Sequence, residues 1–130
     1  MIEDKKTILI AEDEEDLREM YVMTLFSAGF EVLEAVDGSE VMEHLEKNFR
    51  GVDLILLDIV MPGMDGFEAL EKIKKDERFN RIPILVSTNL DNDEDRIQAL
   101  RLGAMDYFVK SNHTPSELVS KINGVLNVRA

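Results

Sequence analysis

One stretch of the chain, residues 52–66, constrains the fold more than any other. It begins with an apolar run over residues 52–57 in which Asp53 is the only polar side chain. The run presents a single carboxylate, Asp58, and then breaks into a segment rich in proline and glycine. A continuous apolar run that ends in turn residues is typical of a strand buried on both faces. In open α/β sheets, ligands bind at the edge where such strands end.

The rest of the chain alternates between strand-like and helix-like segments. Short apolar runs predict strands over residues 7–11, 31–35, 81–87 and 105–110, in addition to the strand within residues 52–66. Apolar residues at helical spacing predict helices over residues 17–28, 41–49, 66–75, 91–102 and 114–128. Five strand–helix units imply one parallel sheet covered by helices on both faces. No linker or repeat interrupts the pattern, so we expect a single domain over residues 1–130.

Composition excludes several classes of function. The formal net charge is -12, which disfavours DNA or an anionic membrane as the main partner because both would repel the chain. The chain has no cysteine and therefore no disulfide framework or thiolate chemistry. Residues 1–6 do not resemble a signal peptide, and no apolar run approaches the roughly 20 residues of a membrane span. We therefore expect a cytoplasmic protein without a membrane partner.

Polar side chains stand at the ends of four predicted strands. They are Glu12 and Asp13 after the first strand, Asp58 after the third, Ser87 at the end of the fourth and Lys110 at the end of the fifth. In a parallel sheet these ends share one edge, so the side chains should converge. Carboxylates gathered at one point repel one another unless a proton or a cation intervenes. A hard divalent cation such as Mg²⁺, which prefers oxygen ligands, fits this pattern.

The same residues supply the parts needed to take up a phosphoryl group. Phosphoryl transfer spreads negative charge over three oxygens, so a site for this reaction mainly positions the reactants and neutralises that charge. A metal held by carboxylates, the ammonium of Lys110 and the hydroxyl of Ser87 would perform that neutralisation. Asp58 would then be the nucleophile and form an aspartyl phosphate.

The chain resembles the receiver domains of two-component response regulators, the family of the bacterial chemotaxis regulator. The resemblance covers essentially the whole chain and is carried by residues 8–13, 53–58, 61–66, 83–87 and 103–110. It implies a flavodoxin-like, three-layer, doubly wound (βα)5 fold with a five-stranded parallel sheet in the order 2-1-3-4-5.

The resemblance also implies a role for each residue at the acidic end of the site. Asp58 matches the phosphoacceptor, and Asp13 matches the direct ligand of Mg²⁺, for which Mn²⁺ can substitute. Glu12 matches the second acid, which acts on the metal through water, and Val60 matches the position whose backbone carbonyl binds the metal. Lys110 matches the lysine that pairs with the acceptor or its phosphate.

Two further matches describe the switch, and two departures accompany them. Ser87 matches the switch hydroxyl that follows the phosphoryl oxygen, and Tyr107 matches the aromatic ring that turns inward with it. Where the family usually has a small residue after the hydroxyl, this chain has Thr88. Where the family has a cis proline after the lysine, this chain has Ser111. Because a cis bond without proline costs about 2.5–4 kcal/mol, we expect a trans peptide and a rearranged loop before the last helix.

The function implied is a phosphorylation-activated switch and not an enzyme beyond its own phosphorylation and dephosphorylation. A sensor histidine kinase or a histidine phosphotransfer protein would donate the phosphoryl group. The response would pass to an unidentified output protein through residues 91–102, 105–110 and 114–128. We expect a monomer, or a weak dimer that depends on phosphorylation, and no direct nucleic acid contact. Because Val60 is apolar and cannot orient a water molecule, we expect slow self-dephosphorylation.

Three other functions were open to the same residues. A metal-dependent phosphatase acting through an aspartyl phosphate commonly needs an acid two residues after the nucleophile, where this chain has Val60. A flavodoxin-like cofactor binder needs a Ser/Thr/Gly-rich loop after the first strand, where residues 12–16 are all acidic. An inactive receiver is disfavoured because the acceptor, acids, hydroxyl and lysine are all present.

Overall fold

The computed structural model of the protein describes residues 5–129. Within them lie five strands: β1 Thr7–Ala11, β2 Glu31–Ala35, β3 Leu54–Leu57, β4 Ile84–Thr88 and β5 Asp106–Val109. The α-helices are α1 Glu15–Ser27, α2 Gly38–Asn48, α3 Gly66–Lys75, α4 Asp93–Arg101 and α5 Pro115–Arg129, and two short 3₁₀ helices cover Phe49–Gly51 and Lys110–Asn112. None of the helices in this part of the chain has the length and apolar character that a membrane span requires.

The strands form one parallel sheet in the order β2-β1-β3-β4-β5, which confirms the predicted fold and strand order. Helices α1 and α5 cover one face through a core that includes Tyr21, Leu25 and Ile122. Helices α2, α3 and α4 cover the other face through a core that includes Leu45 and Leu70. Every residue of β3 and β4 is buried because both of their faces are covered, which explains their apolar runs.

Proline and glycine set the segment boundaries near the site. Strand β4 begins at Ile84 and not at residue 81, because Pro83 immediately precedes it and has no N–H for the ladder. The carbonyl of Pro83 still accepts a hydrogen bond from the N–H of Ile55 at 3.0 Å. Gly66, the first residue of α3, lies against the carbonyl of Asp58, where a Cβ would have no room. The loop after Asp58 therefore folds back tightly onto the end of β3.

The segment between β5 and α5 has the geometry expected from Ser111. No peptide bond among the described residues is cis, so the Lys110–Ser111 bond is trans, and residues Lys110–Asn112 form a short 3₁₀ helix. Helix α5 then starts with the predicted capping box. The N–H of Glu117 donates to Thr114 Oγ1 at 3.2 Å, and the N–H of Thr114 donates to Glu117 Oε1 at 3.1 Å.

Candidate functional site

The C-terminal edge of the sheet gathers a group of buried polar side chains. Strands β1 and β3 pair Ala11 with Leu57, so the residues that follow them emerge side by side. Strands β4 and β5 end together in the same way. The polar side chains buried at this edge belong to Glu12, Asp58, Ser87, Thr88 and Lys110. Asp13 stands beside them and is exposed to solvent.

Three carboxylates form the acidic part of the edge. Glu12, Asp13 and Asp58 each offer an oxygen, and these oxygens lie within 4.8 Å of one another. Asp58 Oδ1 accepts the N–H of Val60 at 3.0 Å, which fixes the acceptor side chain against its own loop. Closely spaced hard oxygen donors, one of them open to solvent, fit a divalent cation such as Mg²⁺ that keeps part of its water shell.

Lys110 lies between two of these carboxylates. Its ammonium donates to Asp58 Oδ2 at 2.9 Å and also to Glu12 Oε1. Burial by itself would lower the pKa of Lys110, but the charges of Asp58 and Glu12 outweigh burial and raise that pKa. Burial raises the pKa of the Glu12 carboxyl, and Lys110 only partly offsets this. One ammonium against three carboxylates leaves the edge negative, which favours a cation.

These residues line a cleft of about 280 Å³ that opens to solvent. Val60 lies at the rim of this cleft, and 54% of the residue is exposed. Because position 60 is a valine, the chain has no acid two residues after Asp58. Thr88 is the hydroxyl-bearing residue that lines this cleft, and Ser87 is not among the lining residues. The full lining consists of Glu12, Asp13, Glu14, Leu17, Asp58, Val60, Thr88, Asn89, Leu90 and Lys110.

Ser87 does not occupy the place that the sequence-based prediction assigned to it. In the register of β4 and β5, Val86 pairs with Tyr107 and Ser87 pairs with Phe108. Because successive side chains of a strand point to opposite faces, Ser87 lies on the face covered by α1 and α5, away from Tyr107. Its Oγ is buried without a hydrogen-bond partner among the described residues. Ser87 and Tyr107 therefore lie on opposite faces of the sheet, which does not fit the predicted coupling between them.

Thr88 ends the same strand as Ser87, and the sequence interpretation treated it only as a bulky neighbour of the hydroxyl. Two positions after Val86, it lies on the same face of the sheet as Tyr107. Its Oγ1 accepts the N–H of Leu90 at a long 3.4 Å, and the carbonyl of Leu90 accepts the hydroxyl of Tyr107 at 2.6 Å. Leu90 thus links the two side chains. The signal was present in the sequence as the unexpected bulk of Thr88 at a position where a small residue is usual.

Tyr107 is held with its ring inward. The side chain is buried, and the guanidinium of Arg96 on α4 lies 5.0 Å from the ring centre. This arrangement is typical of a cation–π contact. Strand β5 and helix α4 therefore meet at Tyr107.

Comparison with known proteins agrees with this geometry. Residues 8–123 match the family model described as "Response regulator receiver domain". The phosphate regulon transcriptional regulatory protein PhoB of Pseudomonas aeruginosa is 41% identical over 121 residues, which are 93% of this chain and 52% of that protein. PhoB of Escherichia coli is 36% identical over 121 residues, with the same 93% and 52% coverage. The chain thus spans about half the length of these curated relatives.

Solved structures show the same likeness. The chemotaxis protein CheY4 of Vibrio cholerae superposes with a TM-score of 0.86 at 30% identity, covering 94% of this chain and 99% of that one. The BeF3-activated N-terminal receiver domain of Klebsiella pneumoniae RstA superposes with a TM-score of 0.84 at 27% identity, covering 93% and 98%.

Proposed function

The chain belongs to the response regulator receiver domain family, the phosphoacceptor switches of two-component systems, and on that premise we propose that Asp58 accepts the phosphoryl group. The observation that carries this assignment is the pairing of Asp58 Oδ2 with the buried ammonium of Lys110 at 2.9 Å. A carboxylate held in this way is fixed in place and lines the open cleft, where a phosphoryl donor can reach it. We also propose that residues 1–130 act as one receiver domain.

The chemical step would be a direct transfer. A carboxylate oxygen of Asp58 attacks the phosphorus of a phosphohistidine on a sensor kinase or phosphotransfer protein. The bond between phosphorus and the histidine nitrogen breaks, and that nitrogen keeps the electron pair. The ammonium of Lys110 now donates to Asp58 Oδ2, and after the transfer it would donate to an oxygen of the new phosphoryl group.

The carboxylates of Glu12, Asp13 and Asp58, together with the backbone carbonyl of Val60, would hold Mg²⁺ or Mn²⁺. When bound, the ion supplies positive charge to the phosphoryl oxygens during transfer. The exposed position of Asp13 suits direct ligation, because its carboxylate is already turned to solvent. The buried Glu12 suits a contact through water, because Lys110 occupies one of its oxygens.

The switch would run through Thr88 and not through Ser87. A phosphoryl oxygen on Asp58 is a stronger acceptor than the groups now near Thr88, so the hydroxyl would turn toward it. Such a movement would release the long contact with the Leu90 N–H and disturb the bond from Tyr107 to the Leu90 carbonyl. The change would reach the surface formed by α4, β5 and α5, where an output protein would bind.

The remaining proposals concern partners and surroundings. The relatives are transcriptional regulatory proteins, whereas this chain carries a formal net charge of -12, which disfavours direct nucleic acid contact, so its output would be protein contact. We propose a cytoplasmic site of action and a monomer that associates weakly, if at all, on phosphorylation. The catalytic capacity of the chain would be limited to its own phosphorylation and dephosphorylation.

The test is formation of an adduct with beryllofluoride or acetyl phosphate, with and without Mg²⁺. Wild type should form the adduct only with Mg²⁺, as measured by intact mass for acetyl phosphate and by amide NMR shifts for beryllofluoride. Asp58→Asn should form none, and Asp91→Asn, which changes an exposed aspartate outside the cleft lining, should behave as wild type. A wild-type protein without any Mg²⁺-dependent adduct would overturn the proposal.

A further inference from the structure

Arg18 connects the acidic loop to the neighbouring edge strand. Its side chain projects from α1 and is only 14% exposed. Nη1 donates to the backbone carbonyl of Glu12 at 3.0 Å, and Nε donates to Glu34 Oε1 on β2 at 3.1 Å. One planar guanidinium therefore joins the end of β1 to β2 on the α1 side of the sheet.

The carbonyl that Arg18 holds belongs to the peptide between two of the cleft acids. Its orientation determines the direction in which the Glu12 and Asp13 side chains leave the end of β1. The N–H of Glu12 is held from the other side by the carbonyl of Ala35 at 3.0 Å. The N–H of Glu14 donates to Glu12 Oε2 at 3.1 Å and tightens the same loop. Arg18 supplies the side-chain anchor of this loop.

We propose that Arg18 is a positioning residue for the cation, and this inference rests on the metal site described under the proposed function. The guanidinium fixes the peptide between Glu12 and Asp13, so that both carboxylates face the cleft before the ion arrives. Glu34 in turn fixes the guanidinium. Partners of this kind, which orient the ligands without touching the ion, commonly change metal affinity when they are removed.

Charge and geometry must be separated in the test. If the positive charge of Arg18 were removed, the three nearby carboxylates would attract Mg²⁺ more strongly, whatever happened to the geometry of the loop. Arg18→Lys keeps the charge but loses the planar fork that holds two partners at once. We therefore expect Arg18→Lys to weaken Mg²⁺ binding about tenfold, as measured by isothermal titration calorimetry. The matched control is Arg81→Lys, which changes an exposed arginine outside the cleft and should leave affinity unchanged.

A second measurement does not involve the metal. Amide hydrogen exchange at Glu12 and Glu14, whose N–H groups donate to the Ala35 carbonyl and to Glu12 Oε2, should be faster in Arg18→Lys than in wild type and unchanged in Arg81→Lys, in protein free of divalent ions. Glu34→Gln, which leaves Arg18 in place, should produce a smaller change of the same sign, about twofold. This variant keeps the test decisive if Arg18→Lys folds poorly.

Unchanged exchange and unchanged Mg²⁺ affinity in Arg18→Lys would overturn the inference. That result differs from failure of the proposed function, in which wild type itself would form no Mg²⁺-dependent beryllofluoride adduct. In the second case, exchange at Glu12 and Glu14 still decides whether Arg18 holds the loop.

Discussion

The two ends of the cleft are built on different principles. The acid end has buried charges that meet an opposite charge within hydrogen-bond distance, as Lys110 does with Asp58 at 2.9 Å. The hydroxyl end has a weak contact from the Leu90 N–H to Thr88 at 3.4 Å. We define the acid end as Glu12, Asp13, Asp58 and Lys110, and the hydroxyl end as Thr88, Leu90 and Tyr107. Ser87 precedes Thr88 in β4 but lies on the opposite face of the sheet, and its buried hydroxyl has no partner among the described residues.

This difference indicates that the acid end is preorganised and that the hydroxyl end is free to change. Breaking a buried ion pair is costly, so the acid end keeps its geometry before the phosphoryl group arrives. A long hydrogen bond to a hydroxyl stabilises little and is exchanged readily for a charged acceptor. Under the proposed function, the phosphoryl transfer would take place at the acid end and the conformational response would begin at the hydroxyl end.

The largest effect on the rate of phosphorylation should appear when the hydroxyls of Thr88 and Ser87 are removed one at a time. Thr88→Ala removes the hydroxyl of a residue that lines the cleft and should slow phosphorylation by acetyl phosphate about tenfold, as expected for a lost hydrogen bond to a charged group. Ser87→Ala should leave the rate within about twofold and should raise the free energy of unfolding by roughly 1 kcal/mol, because it removes a buried hydroxyl without a partner. Intact-mass kinetics and urea unfolding measure the two quantities.

The reverse order of the two effects on the phosphorylation rate would contradict the assignment of Thr88 to the cleft. If Ser87→Ala slowed phosphorylation more than Thr88→Ala, the assignment of faces from the strand register would not describe the active protein. Thr88→Ser, which keeps the hydroxyl, serves as the matched control and should stay near the wild-type rate.

A smaller effect is expected at the rim of the acid end. Val60→Gln places an amide where an apolar side chain now stands, and the amide can orient a water molecule toward the phosphorus. The phosphoprotein lifetime should shorten by about threefold to fivefold, because an amide that only orients the water contributes far less than the roughly 100-fold of a group that also takes its proton. Val60→Leu retains the backbone carbonyl and the apolar character and should match wild type. Loss of the phosphoryl group can be followed by mass spectrometry, and a wild-type half-life of seconds would contradict the expectation.

The smallest effect concerns stability against pH in the absence of metal. Burial raises the pKa of Glu12 above its value of 4.5 in the unfolded chain, so the folded state binds the proton more tightly. This contribution to stability is fully present below pH 4.5 and is lost as the pH rises through the folded pKa. Glu12→Gln removes the titrating group, and its stability should therefore fall less between pH 4.5 and neutral pH.

Urea unfolding of both proteins across this pH range, in the presence of a chelator, measures the difference. Lys110 does not confuse the comparison, because its pKa is raised from 10.5 and its own contribution is lost only under strongly alkaline conditions. Parallel stability curves for wild type and Glu12→Gln would contradict this prediction, because they would show that folding does not raise the pKa of Glu12.

Much of the acid end could be predicted from the sequence. Apolar runs that end at Asp58 and Lys110, and the acids that follow β1, identify strand ends in a parallel sheet, and such ends must converge. The peptide after Lys110 could also be predicted as trans, because Ser111 lacks the ring that lowers the cost of a cis bond. Arg18 could not be found in this way, since its partners belong to other elements of the fold.

The five strand–helix units, the parallel sheet and the edge at which the acids and the lysine meet all follow from the sequence alone. The faces on which Ser87 and Thr88 lie are known only from the folded sheet. In a strand exposed on one face, alternation of polar and apolar residues shows which side chain points where. Strand β4 is buried on both faces, so its sequence carries no such alternation, and the pairing of Val86 with Tyr107 places Thr88, not Ser87, on the face of the switch.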